Sequence, residues 1–322
     1  MERFYDWAIL KATLNMSSPY IFHFPSSPME AAEKPGLLSR YPFATATDHH
    51  QLVFPGAGFI IQQLDFPPFF IELFELKAES TFPLTYEVFR GQYFLFFMLE
   101  GNINFQTQEG FYVSFAKAGY YGFVFNNPGL YSIHMPPGKY TALSINISPE
   151  WLRFFSQDQP IIKEFLERDI KNFGALPYCR ANRKVASWLQ ALYTDIVKGA
   201  GSLDGKLRST ISLMLEQYNL IVGEKLQTLP YVLKDYLDDY FLLPDLSLKT
   251  ISDHFIINER TLRNHFKNEF NTTIHHYYTC RRLSYAQELI NTQDLPLSKI
   301  YYLVGYNDEN TLRYEMRKFN LL

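Results

Sequence analysis

The sequence predicts an α+β multidomain chain: a β-rich sandwich or barrel over residues 1–150, a helical connector over 151–228, and an all-α region over 229–322. Three observations carry that division. Between about residue 50 and residue 147, short apolar runs are broken by Gly, Pro and Asn; after Ser148 the apolar period lengthens to that of a helix; from Leu229 on, short helical stretches follow one another with brief breaks. At 322 residues, with 47% hydrophobic and 20% charged content, the chain is long enough for two or three cores and reads as globular rather than disordered.

The β region is read from runs such as "GFIIQQLDF", "FFIELFELKA", "YFLFFMLEGNINF" and "YTALSINIS", whose spacing suits an antiparallel sandwich or barrel. Glu100-Gly101-Asn102 and Glu109-Gly110 fit hairpin ends, and Asn126-Asn127-Pro128-Gly129 is a strong turn. The first 50 residues, rich in proline, are expected to wrap over the sheet. Tyr86 to Phe125 holds 14 aromatics, most of them needed as sheet core. Tyr93, Tyr112, Tyr121 and His134 combine an apolar body with a polar tip and are unranked candidates for lining a pocket for a small organic effector. His49, His50 and His134 lack metal-ligand spacing, and no catalytic order, phosphate loop or dinucleotide fingerprint stands out. No metal, cofactor or catalytic set is expected.

In the connector, Val185, Trp188, Leu189, Leu192 and Ile196 form one helical stripe and Leu207, Ile211 and Leu215, with Leu220 nearby, form another. These helices are expected to join the domains. Their spare apolar faces would pair two chains into a homodimer, with packing inside one chain as the equal alternative.

In "LSLKTISDHFIINERTLRNHFKNEF" (246–270), Ser247 is a candidate N-cap for a helix turning Leu248, Ile251 and Phe255 inward, and Asn258 a candidate N-cap for a second helix built on Leu262 and Phe266. Two short helices joined by a tight turn follow the helix-turn-helix plan, in which the second helix enters the DNA major groove. Arg260, Arg263 and Asn264 then face base edges, and Lys267 suits a phosphate. "LPLSKIYYLVGYNDENTLRYEMRKF" (295–319) repeats the plan, with Leu297, Ile300 and Leu303 inward, Gly305 at the turn, Asn307 or Asp308 as cap, and Leu312 and Met316 as the inner pair. Its outward set is Asn310, Arg313, Tyr314 and Arg317. Between the copies, a longer amphipathic helix offers Tyr278, Leu283, Ala286, Leu289 and Ile290 for burial. One such unit is a weak signal; two around a linking helix are a strong one.

With "LSLKTIS", "LRNHFKNEF" followed by Tyr277, "RRLSYAQELI", "LSKIYYLVGY" and "NTLRYEMRKF" in place, the C-terminal region from Leu229 resembles the DNA-binding domain of the AraC/XylS family of bacterial transcription regulators. The resemblance implies seven helices and two recognition helices in successive major-groove segments. It also implies that the N-terminal region is a cupin-like sensory domain. Four departures stand out. Tyr301 replaces a small residue and is expected to swing out or push helices apart. Ile256 stands where glycine is usual, although a β-branched residue suits positive φ poorly. Asn271 and Ile274 replace a usual Gly and Pro. The chain stops at "RKFNLL", so a last supporting helix is expected to be absent, Leu312 and Met316 to lie uncovered on one side, and the second unit to be the weaker.

Charge and composition bound the partners. The net charge is -3, yet residues 246–322 hold ten Lys/Arg against eight Asp/Glu, a local +2, leaving -5 elsewhere. Double-stranded DNA must therefore be held by a local patch rather than by the whole field. Cys179 and Cys280 lie far apart without metal spacing, the opening residues make a poor signal peptide, and "YFLFFML" (93–99) is far short of the roughly 20 residues of a membrane span, which together suggest a cytoplasmic protein without a membrane partner. The expected function is sequence-specific DNA-binding transcription regulation under a small-molecule effector, with RNA polymerase a further candidate partner. The alternatives are a cupin-type enzyme with a helical appendage, disfavoured by the missing ligand set, and a degenerate regulator that binds protein partners.

Overall fold

The computed structural model describes residues 18–28, 39–168, 173–194, 199–293 and 295–322. The chain divides into two compact units: unit 1 comprises Met1–Ile103 and Ala116–Lys225, and unit 2 comprises Asn104–Phe115 and Leu226–Leu322. Most of the first 50 residues, and Ile196 of the first connector stripe, are met only in part: 1–17, 29–38 and 195–198 lie outside the described residues.

Unit 1 is the expected β-rich region, built as two antiparallel sheets. One contains β1 (Tyr20–His23), β5 (Phe82–Val88) and β10 (Gly129–Met135), with β5 in the middle. The other runs β2 (Asp48–Phe54), β3 (Ala57–Phe66), β4 (Phe69–Ala78), β11 (Gly138–Ile147), β6 (Gln92–Glu100), β9 (Tyr120–Asn126) and β12 (Phe173–Ala175), with β13 (Cys179–Arg180) also on β9. Both faces of this large sheet are covered, which explains why β3 and β4 read as nearly continuous apolar runs instead of alternating. On one face Tyr20, Phe22, Phe59, Phe74 and Tyr86 interlock, with ring centroids 5.3 to 5.9 Å apart for Tyr20–Tyr86, Phe22–Phe59 and Phe22–Phe74.

The other face carries four helices: α1 (Pro149–Phe155), α2 (Pro160–Glu167), α3 (Arg183–Thr194) and α4 (Ala200–Leu226). Val185, Leu189 and Leu192 of α3 and Leu207, Ile211, Met214, Leu215 and Tyr218 of α4 share one core with Ile71, Leu95, Phe97, Tyr121, Leu143 and Ile145 of the sheet. The residues expected to form a connector thus pack onto the β-sheet as part of unit 1. Tyr218 donates to the Pro177 carbonyl at 2.7 Å, and Asn219 accepts from the Ile161 and Ile162 amides at the start of α2, at 3.2 and 3.4 Å. Leu220 lies outside this core, 71% exposed.

Unit 2 contains six helices among its described residues: α5 (Leu229–Tyr240), α6 (Leu248–Phe255), α7 (Glu259–Phe270), α8 (Ile274–Gln293), α9 (Leu297–Leu303) and α10 (Glu309–Lys318). It also contains the greater part of a hairpin, β7 (Asn102–Thr107) and β8 (Tyr112–Lys117). Two cores lie along α8. Ile274, Tyr277 and Tyr278 join Leu233, Leu237, Ile251, Leu262, Phe266 and Phe270 in the first. Cys280, Leu283, Ala286 and Leu289 join Ile300, Val304, Leu312 and Met316 in the second.

Candidate nucleic-acid interface

Each helix pair starts and stops where its local chemistry dictates. Ser247 caps α6 by accepting from the Thr250 amide at 3.2 Å, while the Thr250 hydroxyl accepts from the Ser247 amide at 2.9 Å, a reciprocal capping box. Asn258 caps α7 through the Thr261 amide at 2.9 Å, and Asp308 caps α10 through the Thr311 amide at 2.8 Å. The hydroxyl and amide of Thr311 hold the Asp308 carboxyl below its ordinary range, so it stays ionised at the positive end of α10. The first turn takes the unusual residue as read: Ile256 sits at φ 54° and is 92% exposed, its side chain free of any packing demand. Asn271 ends α7 at φ 52°, a conformation that Asn tolerates better than most residues. Gly305 at φ 83° needs its glycine twice over, since a Cβ would stand 2.8 Å from the Leu242 carbonyl oxygen.

The two second helices present matching stripes. Arg260, Arg263, Asn264 and Lys267 on α7 follow the spacing i, i+3, i+4, i+7, and Asn310, Arg313, Tyr314 and Arg317 on α10 repeat it. All eight point to solvent, Arg313 being half-buried and the others exposed. Opposite them Leu262, Phe266, Leu312 and Met316 are buried at 0 to 1% exposure. The expectation that Leu312 and Met316 lie uncovered is therefore corrected: Phe111, Phe319 and Leu321 pack on the same core. Tyr301 is likewise accommodated, half-buried at the margin of that core. Leu303 is turned outward at 47% exposure, and Val304, the residue that ends α9, takes the inner place.

The stripes are not bare positive charge. Arg263 donates to Glu259 at 2.7 Å and Arg313 to Glu309 at 2.6 Å, each an i, i+4 pair reaching back to the first turn of its helix. Lys318 lies 4.9 Å above the Tyr314 ring and 3.2 Å from Glu315. Arg260, Lys267 and Arg317 form no ion pair among the described residues.

Beneath the stripes lies a polar frame that periodicity did not reveal. Arg282, 6% exposed, donates to the Phe241 and Leu243 carbonyls at 2.6 and 2.7 Å and lies between the Tyr278 and Tyr306 rings, 5.0 and 5.2 Å away. It ties the chain leaving α5 to α8, and burial lowers its pKa from the ordinary arginine value. Tyr277 donates to Asp238 at 2.7 Å, and Lys234 and Arg281 pair with the same carboxylate at 2.7 and 3.1 Å. Burial works against the Asp238 charge, but the two cations outweigh it and hold its pKa low. The only sequence signal was basic and aromatic residues at helical spacing, which equally describes a surface. His276 stacks on Phe319 at 5.8 Å, and burial lowers its pKa. His275 lies by Tyr278 at 5.1 Å. No cluster of three or more metal-type side chains occurs among the described residues, and no helix there is long and apolar enough to cross a membrane.

The four polar-tipped candidates for an effector pocket do not converge. Tyr121 is fully buried against α4, its ring 5.4 Å from Tyr218, and Tyr93 is half-buried on the same helix-facing side of the sheet. His134 is exposed on β10, and Tyr112 belongs to unit 2. A polar cluster of other residues does form in unit 1. Glu72, 2% exposed, accepts from Gln63 at 2.6 Å; burial pushes its pKa up to about 7, against hydrogen bonds from Tyr20 and Gln63 that favour the charge. Its Oε2 and the Gln63 Oε1 have no hydrogen-bond partner among the described residues.

Residues 251–320 match a family described as a helix-turn-helix domain. A curated relative, a probable transcriptional regulator LumQ of Photobacterium leiognathi, is 22% identical over 153 residues, covering 47% of this chain and 61% of the relative, so the match spans less than two thirds of that protein. Among solved structures, the C-terminal domain of AraT, a response regulator from Geobacillus stearothermophilus, is 23% identical, with 29% of this chain and 78% of that one covered and a TM-score of 0.28. Unsaturated fatty acid bound ToxT from Vibrio cholerae is 12% identical, with 80% and 93% covered and a TM-score of 0.31.

Proposed function

We propose that this chain, a helix-turn-helix protein of the AraC/XylS type, is a sequence-specific DNA-binding regulator of transcription whose β-rich unit responds to a small organic effector. The observation that carries the reading is the pair of matching stripes, each on the second helix of a capped helix-turn-helix unit and each backed by a closed apolar core. Arg260, Arg263 and Asn264 on α7, with Asn310 and Arg313 on α10, read base edges; Lys267 and Arg317 bind phosphates; Tyr314 packs on the sugar-phosphate backbone. Arginine suits guanine, and asparagine suits adenine, because each offers two hydrogen-bonding groups at the spacing of the base edge. The family is generally non-enzymatic, and this reading assigns the chain no catalytic chemistry.

Its finer parts follow from the same reading. Two copies associate through the outer face of α4, where Leu213 and Leu220 are exposed a helical heptad apart. RNA polymerase is the partner on which a DNA-bound regulator acts, and the setting is the bacterial cytoplasm. The test is a gel shift of the purified full-length chain against fragments of its own upstream region, with random DNA as competitor. A complex that survives a large excess of random DNA supports the reading; equal competition by specific and random DNA would refute it.

A further inference from the structure

The hairpin β7–β8 leaves unit 1 at Ile103 and returns to it at Ala116, yet everything between, Asn104–Phe115, belongs to unit 2. Its turn is closed by the Gly110 amide on the Thr107 carbonyl and the Thr107 amide on the Phe111 carbonyl, both at 2.9 Å. Successive side chains on a strand point to opposite sides, and the two residues after the turn use that alternation. Phe111, 6% exposed, enters the second helix-turn-helix core beside Leu312 and Met316, with its ring 5.4 Å from Phe319 just beyond α10. Tyr112 packs against the first core, its ring 6.1 Å from Tyr277 in an edge-on arrangement. Farther back, the Asn104 side-chain oxygen accepts from Asn271 at 3.2 Å, and Asn271 is the residue that ends α7.

One hairpin therefore touches the end of one recognition helix, the linking helix and the end of the other recognition helix. A buried phenylalanine removes about 150 to 250 Å² of surface from water, a large share of the core of a two-helix unit. Among the described residues nothing else so far away in sequence enters that core: its other members there all lie at Cys280 or beyond. We propose that this hairpin is a brace of the DNA-reading unit, in which Phe111 and Asn104 hold α10 in fixed relation to α7. The consequence for DNA rests on the proposed function; the structural claim does not.

Hydrogen exchange on the full-length chain tests it, comparing wild type with Phe111→Ala and Phe111→Leu. In Phe111→Ala the amides of Glu309–Lys318 should exchange at least tenfold faster while those of β3, β4 and α5 keep their protection, and Phe111→Leu should restore most of the protection. If the alanine variant does not fold, Phe111→Val is read by the same criteria. Footprinting on the specific site should show the α10 segment lost and the α7 segment kept. Unchanged exchange in α10 of a folded alanine variant, or a rise spread equally over unit 1, overturns the brace. If wild type binds no DNA the functional reading fails, while the exchange comparison still decides the structural one.

Discussion

Arg263 is engaged before any DNA arrives, because Glu259 holds its guanidinium at 2.7 Å. In the base-reading role proposed for Arg263, a solvent-exposed ion pair worth roughly 0.3 to 0.5 kcal/mol at this spacing is exchanged for a bidentate contact worth about 1 to 3 kcal/mol of discrimination. Arg263→Ala should weaken binding to the specific site by about 1 to 3 kcal/mol and leave random DNA nearly untouched. Lys267→Ala should weaken both alike and flatten the slope of log affinity against log salt by about 0.9. If the two variants lose affinity in the same proportion on both DNAs, their roles are misassigned. Glu259→Gln should strengthen DNA binding, since it frees Arg263 and removes a carboxylate from the phosphate side; weaker binding in an anisotropy titration would show that Glu259 orients the arginine. A different residue gives the β-rich unit one source of pH dependence. Glu72 has a folded pKa of about 7 against an ordinary value of 4.5, so between those values the folded chain binds more protons than the unfolded one. Stability then falls as pH rises from about 4.5 to about 7, at no more than about 1.4 kcal/mol per pH unit from this group, and levels above it. Urea unfolding of unit 1 across that range should show the decline in wild type and its loss in Glu72→Gln; the same slope in both would mean that another group titrates.

At the scale of the element, the second helix-turn-helix unit depends on a turn that only glycine makes. Gly305→Ala forces a left-handed backbone on an L-residue, roughly 1 to 2 kcal/mol, and drives its Cβ toward the Leu242 carbonyl 2.8 Å away. The variant should lose stability in α9 and α10 by at least that amount, read by amide exchange, with α7 spared; full protection would show that the turn relaxes. This turn was legible in the sequence, as were the caps at Ser247, Asn258 and Asp308 and the inner pairs of α7 and α10, because caps and helical stripes are local patterns. Both candidate stripes were legible for the same reason. Leu303 was misplaced because α9 is only two turns long, too short for its period to fix which residue faces inward. The packing of α3 and α4 on the large sheet, the burial of Arg282 between two tyrosines and the entry of Phe111 into the second core were not legible. Each joins residues remote in sequence, and no spacing rule within a window of 20 residues carries that information. That the four polar-tipped effector candidates do not come together was hidden for a related reason, since strand alternation gives the face of a residue but not which sheet face meets helices.

On the proposed function, the spacing of the two DNA contacts is set by α8, a 20-residue helix that carries one helix-turn-helix core near its start and the other farther along. At 1.5 Å per residue α8 is about 30 Å long, close to the 34 to 36 Å that separate successive major-groove openings on one face of DNA. A single chain should thus protect two neighbouring segments on the same face, about 10 bp apart, with comparable strength, because both cores are closed. The linker between the reading heads is a continuous helix seated in both cores, not a flexible tether, so it cannot stretch. Inserting 5 bp between the two segments turns the second to the opposite face and should reduce affinity to that of one segment alone. Inserting 10 bp restores the face but adds about 34 Å, and should cost as much. A flexible linkage would instead recover much of its affinity at 10 bp, paying only in effective concentration. Titration of the full-length chain on the native, +5 and +10 sites separates the two, and recovery on the +10 site would show that α8 does not hold the recognition helices at a fixed distance.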